Sequence, residues 1–278
     1  MTRDLDDPLA SLPERCDQAE PSVFLPANLL REARRQRGLA NGDVPPVCLL
    51  DPDGDIVRHL VQTGGATRSL VWACYHTDLY ETEFDGIRFG VVGCAVGAPF
   101  AVLVAEQLFV SGCTFLISVT SAGQIAPQLE LPCVILIDRA LRGEGTSQCY
   151  LPRTDYAEAD PSLVRAAEAG LQAGSIAYRR GATWTTDAPF RETASAIAVA
   201  ADAGALAVEM EAAALYAFAC ASGNPVLCFA MVTNQMAKAD GDFEKGPTDG
   251  ADESLRVVAA AVRGVQGAVI ANSAEGSG

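Results

Sequence analysis

The chain has 278 residues, 49% of them hydrophobic, and carries a formal net charge of −15. That charge repels a polyanion on average, which excludes nucleic acid as the expected partner while leaving room for a local cationic pocket. Length and apolar content together allow a large core within one domain.

In chain order, "MTRDLDDPLASLPERCDQAEP" is polar and punctuated by proline, so residues 1–22 are expected to form a mobile arm. Residues 23–271 read as one domain and residues 272–278, small and polar, as a flexible tail. Strands are expected at "VPPVCLL", "IRFGVVGCAV", "TFLISVTSAG", "CVILIDRAL", "GSIAYRRGATWTT", "GALAVEM" and "PVLCFAMVTN". Several are continuous apolar runs, as strands buried on both faces require. Helices fall between them. "GAPFAVLVAEQLFVSG" has Pro99 near its first turn and Gly112 past its end, and "DPSLVRAAEAGLQAG" has Asp160 as cap and Pro161 at the first helical position. "RETASAIAVAADAG", the alanine-rich segment 212–222 and "DESLRVVAAAVRGVQGAVIA" complete the set. The alternation predicts an α/β domain with a central, parallel or mixed sheet, whose ligands bind beyond the carboxyl ends of strands.

The sequence has no charged-then-apolar leader and no run of about 18 apolar residues of the kind that spans a bilayer. The expectation is a soluble, cytoplasmic protein with no membrane partner. Nine cysteines, most within apolar runs, show no CxxC spacing and have only His59 and His76 to join them. They read as small buried hydrophobes in a reducing compartment, with no metal site.

Three strand ends carry residues that a core would not choose. "DPDGDIVRH" is a glycine-containing turn followed by Arg58. In "SVTSAGQ", Thr120, Ser121, Ala122 and Gly123 follow an apolar strand, and small residues let backbone N–H groups approach an anion. In "LAVEME", Glu209 and Glu211 precede an apolar helix; on an extended chain they point to one side and can present two carboxylates to one polyol.

In that order these stretches resemble the nucleoside phosphorylase and nucleosidase family, which includes purine nucleoside phosphorylase, uridine phosphorylase and methylthioadenosine nucleosidase. "VEMEAAALYAFA" is similar to the family's ribose-binding Glu-Met-Glu segment and the helix after it. "GDIVR" resembles its phosphate turn, "GCAVGAP" its Gly-x-Gly-x-Gly-x-Pro stretch, and "SVTSAGQ" its Gly-Ser/Thr-x-Gly turn. "RGEGTS" (residues 142–147), "TWTTDAPF" and "MVTN" resemble further family segments, and the likeness runs over residues 45–270. It implies a twisted mixed sheet flanked by helices and cleavage of a ribosyl N-glycosidic bond through an oxocarbenium-like transition state. By the same resemblance Glu211 and Met210 hold the ribose, with Glu209 as a second contact, and Glu211 and Asn234 are the catalytic pair. Gly54, Arg58 and Ser121 hold inorganic phosphate as co-substrate, while Trp184 and Asn234 meet the base. No cofactor is implied, and the family implies a homo-oligomer, a dimer or a trimer of dimers, with His76 and Arg68 in the region that could reach a neighbour.

Two departures from the pattern matter. Ser118 stands where phosphorylases have an arginine, and such a charge-assisted contact contributes about 1.5–3 kcal/mol. The nucleosidases also lack that arginine but carry a glutamate that activates water; here the nearby acids are Asp53 and Asp55. Asn234 stands where purine-cleaving members have an aspartate. Uridine-cleaving members carry Asn there, together with an insertion for which the stretch from Asp187 to Glu209 is too short; Arg191 is a candidate substitute. The first expectation is therefore a phosphorolytic nucleoside cleaver, and the second a nucleosidase using water. A nucleoside-binding homologue and a biosynthetic base exchanger are further alternatives.

Overall fold

The structure is a computed structural model that describes residues 17–235 and 244–275. A helix, α1 (Pro26–Arg37), precedes β1 (Val47–Asp51), α2 (Asp55–Gln62), β2 (Ala66–Arg68), β3 (Tyr80–Phe84), β4 (Ile87–Gly93) and α3 (Ala98–Val110). The chain continues through β5 (Phe115–Gln124), β6 (Cys133–Gly143), β7 (Tyr156–Glu158), α4 (Pro161–Ala173), β8 (Arg179–Thr186) and α5 (Ala194–Asp202). It ends with β9 (Ala205–Glu209), α6 (Ala212–Ser222), β10 (Val226–Asn234) and α7 (Ala251–Glu275). This is the α/β architecture expected from the alternation, and each apolar run read as a strand contains one.

The caps follow the local chemistry. The Asp160 carboxylate accepts the Ser162 N–H at 2.7 Å ahead of α4, and Thr193 caps α5 by accepting the Ala196 N–H at 3.2 Å. Two helices escape the sequence reading. α1 lies in a stretch with few periodic apolar residues and buries Leu30 and Ala33. α2 starts inside the segment read as a turn, yet Ile56 and Leu60, one helical turn apart, are both buried. Of the expected arm, residues 1–16 lie outside the described residues, and residues 17–25 contain neither helix nor strand. Of the expected tail, residues 272–275 are helical and 276–278 lie outside the described residues.

The strands form one mixed sheet in the order β10-β6-β8-β9-β5-β1-β4-β3-β2, and β10 also pairs with β5. The extra pairing closes β5, β10, β6, β8 and β9 into a ring. β10 runs parallel to β5 and antiparallel to β6, while β9 runs antiparallel to β5. The carboxyl ends of β5, β9 and β10 consequently meet: Gly123 pairs with Val208 on one side and with Asn234 on the other. α6 packs between α3 and the ring, with Leu215, Tyr216 and Phe218 buried. Of the cysteines described, Cys48, Cys74, Cys113 and Cys228 are buried as expected, whereas Cys94, Cys149 and Cys220 are exposed. Among the described residues no helix is long and apolar enough to cross a membrane.

Candidate active site

The strand ends open into a cleft of about 490 Å³, within the usual size for a small-molecule site. Its walls are Pro52 and Asp53 after β1, Val96 before α3, Thr120 to Gly123 at the end of β5, and Asn234 at the end of β10. Pro189, Phe190 and Glu192 from the β8–α5 loop and Val208 to Glu211 at the β9–α6 junction complete them. The sequence expectations Glu209, Met210, Glu211, Ser121 and Asn234 thus share one cavity, whereas Gly54 and Arg58 are not among its lining residues.

The two glutamates do different work. Glu209, at the end of β9, accepts hydrogen bonds from the Thr183 and Thr185 hydroxyls on Oε1 and from the Glu211 and Ala212 N–H groups on Oε2. A carboxylate has about four acceptor positions, so this one is full. It ties β8 to β9 and caps α6, whose first N–H groups need an acceptor. Glu209, expected as a second ribose contact, lines the cleft with its oxygens engaged by the chain, and it holds the β9–α6 corner. Burial pushes its carboxyl upward, and the four donors oppose that shift.

Glu211 is 1% exposed. Its Oε1 accepts the Gly97 N–H at 2.7 Å, while Oε2 has no hydrogen-bond partner among the described residues. Gly97 has φ +90° and stands ahead of α3, so the glycine permits the backbone turn that aims this N–H across the cleft. Burial first, then the negative charge of Glu209, raise the Glu211 carboxyl to about 8, while the Gly97 N–H and the nearby Thr120 hydroxyl oppose that shift. A buried acceptor with an empty oxygen is costly unless a ligand fills it, and vicinal hydroxyls are suitable donors.

Beyond Asp53 the wall turns acidic. The buried Asp51 at the end of β1 accepts the Gly54 N–H on Oδ1 at 3.1 Å and the Val57 N–H on Oδ2 at 2.9 Å. Burial, reinforced by Asp53 and Asp55, raises its carboxyl to about 7. Gly54 has φ +78°, and a Cβ there would sit 2.6 Å from Cys94 Sγ, so only glycine suits this turn. Arg58, half-exposed, pairs with Asp55 at 2.5 Å. Asp53 Oδ2 accepts the Ser121 N–H at 2.8 Å. The backbone N–H groups of Gly54 and Ser121, both expected to meet phosphate, are thus engaged by aspartates of the chain. Ser118, in place of an arginine, is buried, and its hydroxyl has no partner among the described residues.

Trp184 does not line the cleft, which corrects the expectation of a base-facing ring there. The indole packs with Ile125, Leu141, Ile197, Ala200 and Val208, and its Nε1 occupies the space a Cβ on Gly143 would need. Alternation explains the direction: Thr183 and Thr185 both reach Glu209, so Trp184 between them faces the other side of β8. The aromatic at the cleft is Phe190, which is 99% exposed. Glu192 beside it is half-buried, and burial raises its carboxyl. Asn234 is buried, and its Nδ2 lies 3.5 Å from the Ala122 carbonyl oxygen. Arg191 is exposed and outside the cleft lining, and Arg68 pairs with Asp78 at 2.6 Å. The reading of the sequence missed Phe190 and Glu192 at the cleft, Asp53 as the acceptor of the Ser121 N–H, and Lys245 as a partner of Asp55. Phe190 stood in a segment already singled out; Lys245 carried no local signal.

The fold therefore places a strand-end cleft, with one buried carboxylate oxygen unfilled among the described residues, beside a wall whose N–H groups and cations are held by aspartates. The chain belongs to the Phosphorylase superfamily, which its sequence matches over residues 47–266. It is 29% identical over 147 residues to a uridine phosphorylase of Thermococcus kodakarensis, a match spanning 48% of this chain and about half, 52%, of that relative. It is 31% identical over 160 residues to a DeoD-type purine nucleoside phosphorylase of Bacillus cereus, spanning 56% of this chain and 68% of that one. A crystal structure of uridine phosphorylase from Vibrio fischeri superposes with a TM-score of 0.66 at 21% identity, covering 79% of this chain and 93% of that one, which shows the shared fold.

Proposed function

We propose that the protein cleaves the N-glycosidic bond of a nucleoside with inorganic phosphate, releasing a free base and ribose 1-phosphate. The carrying observation is Glu211: a carboxylate fixed on one oxygen by the Gly97 N–H and unfilled on the other, buried in a cleft of nucleoside size. Ribose hydroxyls would fill Oε2 and Met210 would pack on the sugar. As the bond to the base breaks, positive charge develops on the ring, and a nearby carboxylate with no competing donor on that oxygen stabilises it. Deprotonated Glu211 is needed for this, and a sugar hydroxyl donating to Oε2 favours that form. Phe190 and Pro189 would cover the base, and Asn234 would hydrogen-bond its edge. An amide cannot act as a general acid, so in this reading Asn234 stabilises the leaving base by hydrogen bonding alone. Gly54, Arg58 and Ser121 mark the phosphate side.

Superfamily membership and the relatives above support phosphorolysis. One observation favours hydrolysis as a second reading: the Asp53 carboxylate already holds the Ser121 N–H, where an attacking water could lose a proton to it. We further read the protein as a homo-oligomer acting in the cytoplasm with no cofactor or metal. The test is a panel of purine and pyrimidine nucleosides incubated with and without phosphate, with products separated by chromatography. Base release that requires phosphate and yields ribose 1-phosphate is expected; release of free ribose at the same rate without phosphate establishes the second reading.

A further inference from the structure

Behind the cleft lies a second chamber of about 160 Å³, room for roughly five waters at liquid density. It shares Asp53, Thr120 and Ser121 with the strand-end cleft, so these three residues form a wall common to both. Asp51, Asp53, Asp55, Asp249 and Glu253 line it, and Lys245 is the one cation among its described lining residues. Lys245 comes from the segment ahead of α7, far in sequence from Ser118, where the arginine is absent. Its ammonium donates to Asp55 Oδ2 and stands 3.6 Å from Asp53 Oδ2. That same Asp53 oxygen receives the Ser121 N–H.

A strand-end N–H and an ammonium therefore converge on one anionic oxygen, which belongs to the chain itself. The Thr233 hydroxyl, buried and without a partner among the described residues, adds a donor on the same wall. The carboxylate in the middle is loosely kept: the Asp53 side chain retains 32% of its surface to solvent, and Lys245 retains 20%. The pair is half-buried and stands at 3.6 Å, longer than a direct hydrogen bond, so Asp53 Oδ2 is not locked to the ammonium. A permanent clamp would be built as Glu209 is, with every lone pair filled.

We propose that Lys245 is the second cation of the phosphate cradle, standing in for the arginine absent at Ser118, and that Asp53 is a resident anion which phosphate displaces from Lys245 and Ser121. This rests on the phosphorolytic reading. A phosphate oxygen takes the place of Asp53 Oδ2 between the Ser121 N–H and the ammonium, and the Asp53 side chain swings to solvent. Lys245 keeps its bond to Asp55, which holds the ammonium at the entrance to the cradle. No covalent step is involved; the exchange is one anion for another on the same donors.

The test is calorimetric binding of inorganic phosphate to the full chain and to three variants, alongside product analysis. Lys245→Met should weaken phosphate binding by roughly tenfold or more, and Lys245→Arg should restore most of it. Asp53→Asn should tighten phosphate several-fold, because the competitor loses its charge while its shape remains. Retained circular dichroism confirms folding, and Asp53→Asn decides the matter if Lys245→Met fails to fold. Phosphate affinity unmoved by Asp53→Asn and by Lys245→Met overturns the proposal, while ribose 1-phosphate formation would leave the phosphorolytic reading standing. Phosphate-independent base release that Asp53→Asn abolishes overturns both, since Asp53 then serves as the base for water.

Discussion

The two acidic regions of the site use carboxylates in opposite ways. At the β9–α6 corner, four donors converge on Glu209, whereas Glu211 has the Gly97 N–H on one oxygen, the Thr120 hydroxyl beside it, and a second buried oxygen that no hydrogen bond fills among the described residues. Around β1 and α2 the aspartates crowd the donors: Asp51 holds two backbone N–H groups, Asp53 one, and Asp55 two cationic side chains. The first region lacks a donor and suits hydroxyls. The second has donors already engaged by the chain's own anions and suits an exchange. Residue type does not distinguish the two; the count of unfilled oxygens does.

The contrast breaks most visibly at Glu209. Glu209→Ala should destabilise the fold by about 3–5 kcal/mol, because two N–H groups and two hydroxyls lose their buried acceptor at once. A urea denaturation series reads this as a lower midpoint, and an unchanged midpoint would mean that Glu209 is not structural. Glu211→Gln should instead leave the midpoint near wild type and lower kcat/KM for base release roughly a hundredfold. Activity within twofold of wild type would remove Glu211 from the sugar.

Asp51 sharpens the other side of the comparison. Its carboxyl is raised to about 7 in the fold, so the folded state favours the neutral form. Stability from this group is fully present below the ordinary carboxylate range and falls as pH climbs from about 4 through 7. Asp51→Asn should reduce the loss of stability between pH 5 and pH 7.5 by about 2 kcal/mol, read from denaturant midpoints at both pH values. The smallest expected effect concerns the rings: Phe190→Ala should raise KM for the nucleoside about fivefold, in line with loss of one aromatic contact, while Trp184→Phe leaves KM unchanged. The reverse pattern would return Trp184 to the base.

Much of this was legible in the sequence because β1, β5, β6 and β10 are buried on both faces and so appear as unbroken apolar runs. Glu211 was legible because a carboxylate at the head of a buried helix calls for an explanation. The separate roles of Glu209 and Glu211 were not, since they depend on which donors arrive from β8 and from the turn before α3. Trp184 was misread although the rule that places it was available: Thr183 and Thr185 share a face, and the residue between them takes the other. Ring closure was not legible, because β10 pairs with strands more than 80 residues earlier on both its edges and no local pattern records that. Lys245 gave no signal in the sequence, because the carboxylate it meets, Asp55, lies 190 residues away along the chain.

The closed ring also bears on how the protein avoids sticking to itself. A sheet edge is a row of unpaired backbone groups that invites another strand. Closing β5, β10, β6, β8 and β9 on one another removes the edge from the most apolar part of the sheet. Among the described residues the edges left, β2 and β7, are three residues long. β2 ends at Arg68, whose charged side chain is held outward by Asp78. A chain with 49% hydrophobic residues thus offers a neighbour little backbone to zip onto, and the arrangement that brings the strand ends of the cleft together is the one that hides them from aggregation.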